Sequence, residues 1–212
     1  MKKVRVCFFS DNHGDFSLDV PDADILICCG DSTFSGTGWD LDKFTHWYSS
    51  LPHKEKIFIA GNHDFCLESY LCKKLIPKEL IYLENELYIS KAGLRIYGSP
   101  NTPRFGYWAF MKERGDDIAN TWKKIPKNLD ILITHGPAYG ILDKTPSGVN
   151  AGCYDLLLEI EKKTPRYHSF GHIHHGYGIK KTKKTTFINC SVYSEEYELE
   201  NKPVVVDIEV RK

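Results

Sequence analysis

Short apolar runs that break off in polar residues set the rhythm of this chain. Val4-Arg5-Val6-Cys7-Phe8-Phe9 ends in Ser10-Asp11-Asn12-His13-Gly14, and Asp24-Ile25-Leu26-Ile27-Cys28-Cys29 ends in Gly30-Asp31. Ile57-Phe58-Ile59-Ala60 leads into Gly61-Asn62-His63-Asp64. Leu129 to Thr134 leads into His135-Gly136-Pro137, and Arg166 to Phe170 into Gly171-His172-Ile173-His174. Apolar runs of this length predict buried strands. Between them Leu41, Phe44, Trp47, Tyr48 and Leu51 recur at helical spacing, which predicts an amphipathic helix stopped by Pro52. Further helices are predicted from Phe65 to Leu75, from Asp116 to Lys124, and from Tyr154 to Lys163, the last with Leu156, Leu157 and Ile160 as its apolar face.

Strand, helix and strand in alternation imply parallel pairing with right-handed crossovers. Leu87 to Lys91 and Leu94 to Gly98, joined by Ala92-Gly93, predict a hairpin. In the tail, Gly178 to Lys181, Thr185 to Cys190 and Pro203 to Val210 suggest a second, more antiparallel sheet. With no internal repeat and no linker, the expectation is one α/β domain over residues 1–212, a two-layered β core with helices outside.

Composition narrows this picture. A chain of 212 residues, 42% hydrophobic and 26% charged, can bury a proper core, and this rules against a disordered or fibrous protein. Lys+Arg and Asp+Glu both number 28, so no global field draws the protein to nucleic acid or to a membrane surface. The seven cysteines are irregularly spaced and include no CxxC pair, which excludes a disulfide framework and argues against a thiolate zinc site. Cys28 and Cys29 read as small buried residues. No apolar segment approaches the roughly 18 residues of a membrane span. The N-terminus enters a strand directly, so a cytoplasmic, reducing-compartment protein is expected.

The strand ends carry the candidate chemistry. Open α/β sheets bind ligands beyond the carboxyl ends of their strands. There this chain places Asp11, His13, Asp31, Asn62, His63, His135, His172 and His174. Residues two apart in an extended segment point the same way, so Asp11 with His13, and His172 with His174, read as converging pairs. Carboxylate, imidazole and an amide oxygen suit Mn, Fe, Zn or a similar ion rather than Mg or Ca. The groups are too many for one tetrahedral ion and suit two ions sharing a carboxylate. Two such ions, about 3.5–4 Å apart, generate hydroxide and clamp an in-line displacement at phosphorus.

Several residues admit a plainer reading. Gly30-Asp31 is also turn chemistry, and Asp64 also suits a helix N-cap. Gly61 is expected to permit a tight turn. Asn12 could touch a scissile phosphate. Arg104, Trp108 and Phe110 could hold a phosphate and stack a base, or the aromatics could pack under a loop. Lys180 to Lys184 reads as a solvated hairpin tip, and His168 as a structural histidine.

Taken together, Asp11-x-His13-Gly14, Gly30-Asp31, Gly61-Asn62-His63-Asp64, His135-Gly136 and Gly171-His172-x-His174 resemble the signature set of calcineurin-like metallophosphoesterases. Tyr97-Gly98-Ser99-Pro100, Trp108-Ala109-Phe110, Arg114-Gly115, Ile133 to Pro137 and Gly171 to Gly178 are similar to the MPPED-type metallophosphodiesterases, a class III cyclic-nucleotide phosphodiesterase branch. The resemblance implies a four-layer α/β/β/α sandwich of two mixed sheets. It also implies two divalent ions, Mn2+ foremost, with Fe, Zn, Ni or Co as alternatives. Asp11, His13, Asp31 and His174 would hold one ion, and Asp31, Asn62, His135 and His172 the other, with Asp31 as the bridge. His63 would stand near the leaving oxygen, as general acid or hydrogen-bond donor. A small phosphodiester such as a cyclic nucleotide is the implied substrate. A phosphomonoesterase, or a non-catalytic scaffold of the same fold, is the alternative. Many superfamily members carry a second acid where this chain has Phe34, so any carboxylate partner for His63 must come from elsewhere.

Overall fold

Alternate residues along the central strands are buried on opposite faces, and this decides the layering. In β1 (Lys3–Phe9), Val6 and Phe8 face one way and Cys7 and Phe9 the other, all fully buried. Such strands read as unbroken apolar runs because both faces are covered. The structure, a computed structural model, describes residues 2–211. After β1 come β2 (Ile25–Cys28), α1 (Gly38–Ser50), β3 (Glu55–Phe58), α2 (Tyr70–Lys73), β4 (Leu80–Tyr82), β5 (Glu86–Ile89) and β6 (Arg95–Ser99). A minimal pair follows, β7 (Thr102–Pro103) and β8 (Met111–Lys112), then α3 (Asp116–Trp122) and β9 (Ile131–Thr134). The chain closes with α4 (Tyr154–Lys163), β10 (Tyr167–Phe170), β11 (Gly178–Lys181), β12 (Thr186–Asn189) and β13 (Val204–Glu209).

One sheet runs β13-β1-β2-β3-β4 and the other β11-β12-β10-β9-β6-β5. Their interiors are parallel, and antiparallel pairing is confined to β13, β11 and β5 at the edges. Val6, Phe8, Ile27 and Ile57 of the first sheet meet Ile96, Ile131, Ile133 and Ile188 of the second between the layers. On the outer face of the first sheet, Cys7, Phe9, Leu26 and Phe58 pack on Leu41, Phe44 and Tyr48 of α1. On the outer face of the second, Leu132, Phe170 and Phe187 pack on Ile118 and Trp122 of α3 and on Leu156 and Ile160 of α4. The result is the expected α/β/β/α sandwich. Cys28 and Cys29 are fully buried, and all seven cysteines are free. No described helix is long and apolar enough to cross a membrane.

Two expectations change. The tail does not build its own antiparallel sheet. β13 returns to pair with β1 in the first sheet, while β12 lies parallel to β10 in the second. The helix expected from Phe65 to Leu75 is two single turns, Phe65–Glu68 and Tyr70–Lys73, because Ser69 between them is extended (φ −85°, ψ 127°). The short edge strand β4 follows, a three-residue run too brief for periodicity to reveal.

Candidate metal centre

The interior strands of each sheet are parallel among themselves, so the loops that follow them emerge together. The sheets join where Ser10 bridges Ser191, with Ser10 N donating to Cys190 O (2.9 Å) and Val192 N to Ser10 O (2.9 Å). This seam sets the loop after β1 against the loop after β10. Two glycines allow the approach by lacking a side chain. A Cβ on Gly171 would overlap Asp11 Oδ2, and one on Gly61 would overlap Asp31 Oδ1. Gly61 therefore gives room for a neighbouring carboxylate, whereas the sequence suggested a turn.

Ligand-competent atoms gather in three buried or nearly buried groups: Asp11, His13 and His174; His13, Asp31 and His63; and Asp31, His135 and His172. Asp31 belongs to two of them and joins the halves. Asn62 lies with the second half, its Oδ1 3.0 Å from His135 Nε2. His172 and His174, expected to converge, divide between the halves. Asp11, His13, Asp31 and His172 all have positive φ (58°, 42°, 50° and 67°), so these are tight left-handed turns rather than strand extensions. Non-glycine residues held in that region cluster where side chains must be aimed.

Hydrogen bonds fix how the imidazoles present themselves. His135 Nδ1 donates to Cys29 O (3.0 Å) and His174 Nδ1 to Ser194 O (2.8 Å). A carbonyl only accepts, so each neutral ring presents its Nε2 lone pair to the centre, as a cation requires. His13 Nε2 and His174 Nε2 face each other at 3.5 Å. Asp11 accepts from Ser191 Oγ (2.7 Å) and His172 N (3.0 Å), and Asp31 from His63 N (2.7 Å). Burial opposes ionisation of Asp11 and Asp31, yet His174 beside the first and His135 beside the second hold both below the usual carboxylate range. Burial likewise works against charge on the two histidines, but Asp31 lifts His135 to about 9 and Asp11 lifts His174 to about 9. Burial lowers His13 to about 4 and His172 to about 3. The set fits a pair of divalent cations: two ionised carboxylates, an amide oxygen, and four imidazoles, of which His135 and His174 have the far nitrogen already engaged.

Beside the centre opens a cavity of about 370 Å³ lined by Asp31, His63, Trp108, Arg114, His172 and Tyr197, among others. His63 Nδ1 donates to the Phe34 carbonyl at 2.8 Å. The residue that replaces the expected acid thus orients His63 through its backbone. Asp64 is not a helix cap: its side chain makes no cap bond and accepts five hydrogen bonds from two loops. They come from Gly61 N (2.7 Å), Ser32 N (3.3 Å), Ser32 Oγ (3.1 Å), Thr33 N (2.9 Å) and Thr33 Oγ1 (2.7 Å). This ties the Asp31 loop to the Asn62 loop.

A family model described as calcineurin-like phosphoesterase matches residues 4–176. The chain belongs to that family. Its members are phosphoric ester hydrolases with dinuclear metal centres, which accords with the paired clusters around Asp31. Metallophosphoesterase domain-containing protein 1 from Homo sapiens is 37% identical over 231 residues, covering 97% of this chain and 71% of the relative. UPF0046 protein C25E10.12 from Caenorhabditis elegans is 35% identical, covering 97% of this chain and 81% of the relative. Among solved structures, TT1561 of Thermus thermophilus shares the fold with a TM-score of 0.62 at 15% identity, covering 89% of each chain.

Not every candidate reaches the site. Arg104 pairs with Glu113 and donates to Gly106 O (3.1 Å), and it does not line the cavity. Its place is taken by Arg114, whose Nη1 and Nη2 donate to Gly152 O (3.1 Å) and Ala151 O (3.0 Å). The sequence signal for Arg114 was that Arg114-Gly115 is among the stretches that carry the MPPED-type resemblance. Asn12 is buried; its amide donates to Asp15 O (3.1 Å), and its Oδ1 has no partner among the described residues. Trp108 stands over His63, ring centres 4.5 Å apart, while Phe110 is buried in the core. His168 is structural: its Nε2 meets Thr134 Oγ1 at 2.7 Å. Lys180 to Lys184 form the exposed tip of the β11–β12 hairpin.

Proposed function

We propose that the protein hydrolyses small phosphodiesters, cyclic nucleotides among them, using two divalent transition-metal ions, with Mn2+ the foremost candidate. The observation that carries this reading is the three ligand-competent groups, linked to one another through His13 and buried Asp31, beside a lined cavity. Asp11, His13, Asp31 and His174 would hold one ion, and Asp31, Asn62, His135 and His172 the other. Bound there, the ions supply an activated water and offset the negative charge of the phosphate.

The chain's own residues do the rest. Asn62 contributes oxygen without charge, so the site keeps the net positive potential an anionic ester needs. His63, with Nδ1 committed to the Phe34 carbonyl, has only Nε2 free. As an imidazolium it delivers a proton from Nε2 to the departing oxygen. Trp108 covers that ring from solvent. A diester is favoured because its second ester group has a surface to lie on, formed by Phe105, Trp108 and Tyr197. Arg114 stands on the same wall as a cation for the substrate's anionic groups.

The test is hydrolysis of bis(p-nitrophenyl) phosphate beside p-nitrophenyl phosphate, after stripping the protein and reloading Mn, Ni, Zn or Mg. Turnover of the diester is expected to be faster. No turnover with any ion would refute the enzyme reading, and faster monoester cleavage would refute the diester preference. His63→Ala should keep its metal and lose mainly kcat; joint loss of metal would make His63 a ligand. A panel of 2′,3′- and 3′,5′-cyclic nucleotides then identifies the substrate.

A further inference from the structure

The family match ends at residue 176, but the wall of the cavity does not. A turn beyond β12 brings Tyr197 beside His63, His174 and Asp31. Two contacts secure this turn to the segment that carries His174. Ser194 O accepts from His174 Nδ1 (2.8 Å), and the Glu195 carboxylate accepts from His175 N (2.8 Å). Inside the turn, Ser194 N donates to Glu198 O (2.9 Å) and Tyr197 N to Ser194 O (3.2 Å). Tyr197 itself sits at φ 59°, a conformation in which an aromatic residue is a real outlier. Its ring centre lies 5.0 Å from that of His13, 5.4 Å from His174 and 6.2 Å from Phe34.

Packing alone does not account for the hydroxyl. Nearby Tyr193 donates its own to Asp15 Oδ2 (3.4 Å), and Tyr177 to Lys202 O (2.8 Å). Tyr197 makes no such bond to a described residue, although it lines the cavity and is 47% exposed. A phenol is protonated at neutral pH, so what it offers there is a hydrogen-bond donor. We propose that Tyr197 is a catalytic residue whose hydroxyl donates to a non-bridging oxygen of the phosphoryl group under attack. This rests on the phosphoesterase reading. As the attacking water bonds to phosphorus and gives up a proton to solvent, the leaving oxygen departs with the bonding pair and takes a proton from His63, and negative charge shifts among the phosphoryl oxygens. A fixed donor there stabilises the transition state more than the bound ester. Tyr197 moves no proton, and its contact is with the phosphoryl oxygen. His63 acts on the leaving oxygen.

Tyr197→Phe separates the hydroxyl from the ring, which keeps its contacts with His13 and His174. The expected result is a loss of about tenfold in kcat, below the loss for an enclosed oxyanion donor because water reaches this site. Metal content should be unchanged. The loss should be equal for bis(p-nitrophenyl) phosphate and diphenyl phosphate, whereas that of His63→Ala should grow with the poorer leaving group. Calorimetric binding of orthovanadate should weaken by a factor similar to the fall in kcat. A Tyr197→Phe protein within about twofold of wild type, a loss that depends on the leaving group, or a loss of metal each overturns the proposal. A wild-type protein inactive with every ion overturns the phosphoesterase reading as well. An active wild type with an unaffected variant overturns the role of Tyr197 alone.

Discussion

Asp64→Asn is the substitution that separates the sequence reading of this residue from the structural one. The Asp64 carboxylate faces five donors, with Ser32 N and Gly61 N on Oδ2 and the other three on Oδ1. An asparagine can keep its oxygen toward Ser32 Oγ, Thr33 N and Thr33 Oγ1. Its amide nitrogen then confronts Gly61 N and Ser32 N, donor against donor. Losing two hydrogen bonds to a charged acceptor costs about 1.5–3 kcal/mol each. Burial, and then the nearby Asp31 charge, raise the Asp64 pKa above its ordinary value, so removing the charge returns part of that loss. A net destabilisation of about 3 kcal/mol is expected, whereas a residue that only capped a helix would lose almost nothing, since asparagine caps as well as aspartate. In a domain of this size it lowers Tm by roughly 6–12 °C. Scanning calorimetry of the metal-free protein measures it. Metal analysis of reloaded protein should show weaker binding, because the Asp31 and Asn62 loops are no longer tied. A shift below about 4 °C with full metal content would refute this account and return Asp64 to the role of a cap.

His168 makes stability depend on pH. Burial holds it at about 3, against 6.5 for a free histidine. Between these values the unfolded chain binds a proton that the folded protein does not, so stability falls as pH falls, by up to about 1.4 kcal/mol per unit. Urea midpoints from pH 4 to 7 should be steeper in the metal-free wild type than in His168→Gln, and parallel curves would contradict this. Stripping metal from loaded protein should lower Tm. Ions at 100 times their dissociation constant contribute about 2.7 kcal/mol, and a Tm unmoved by chelator would deny the site its ions. Arg114→Ala should raise KM for a phosphodiester about tenfold, the loss of a charge-assisted contact. Arg104→Ala, whose guanidinium is paired with Glu113, should leave KM unchanged, and the reverse outcome would exchange the two residues' roles.

The strand ends were legible because apolar runs and the polar residues closing them are adjacent in the chain. Pattern alone therefore exposed Asp11, His13, Asp31, Asn62, His135, His172 and His174 together. Reading i and i+2 as an extended pair failed at His172 and His174. A left-handed turn at His172 sends the two rings to opposite halves of the centre. The two single turns around Ser69 and the short edge strand β4 escaped notice because each is briefer than one period of any pattern.

By itself the sequence determined the layers, the parallel pairing of the strands that alternate with helices and the stock of metal-competent side chains, since these follow from local periodicity and residue chemistry. Only the tertiary structure decided what holds each of those side chains in place. Partners far apart in the chain did this: the Phe34 carbonyl for His63, Ser194 O for His174, Ser32 and Thr33 for Asp64, and Arg114 in place of Arg104. Hydrogen bonds to backbone carbonyls depend on where a chain passes rather than on which residue it carries, so no residue pattern announces them.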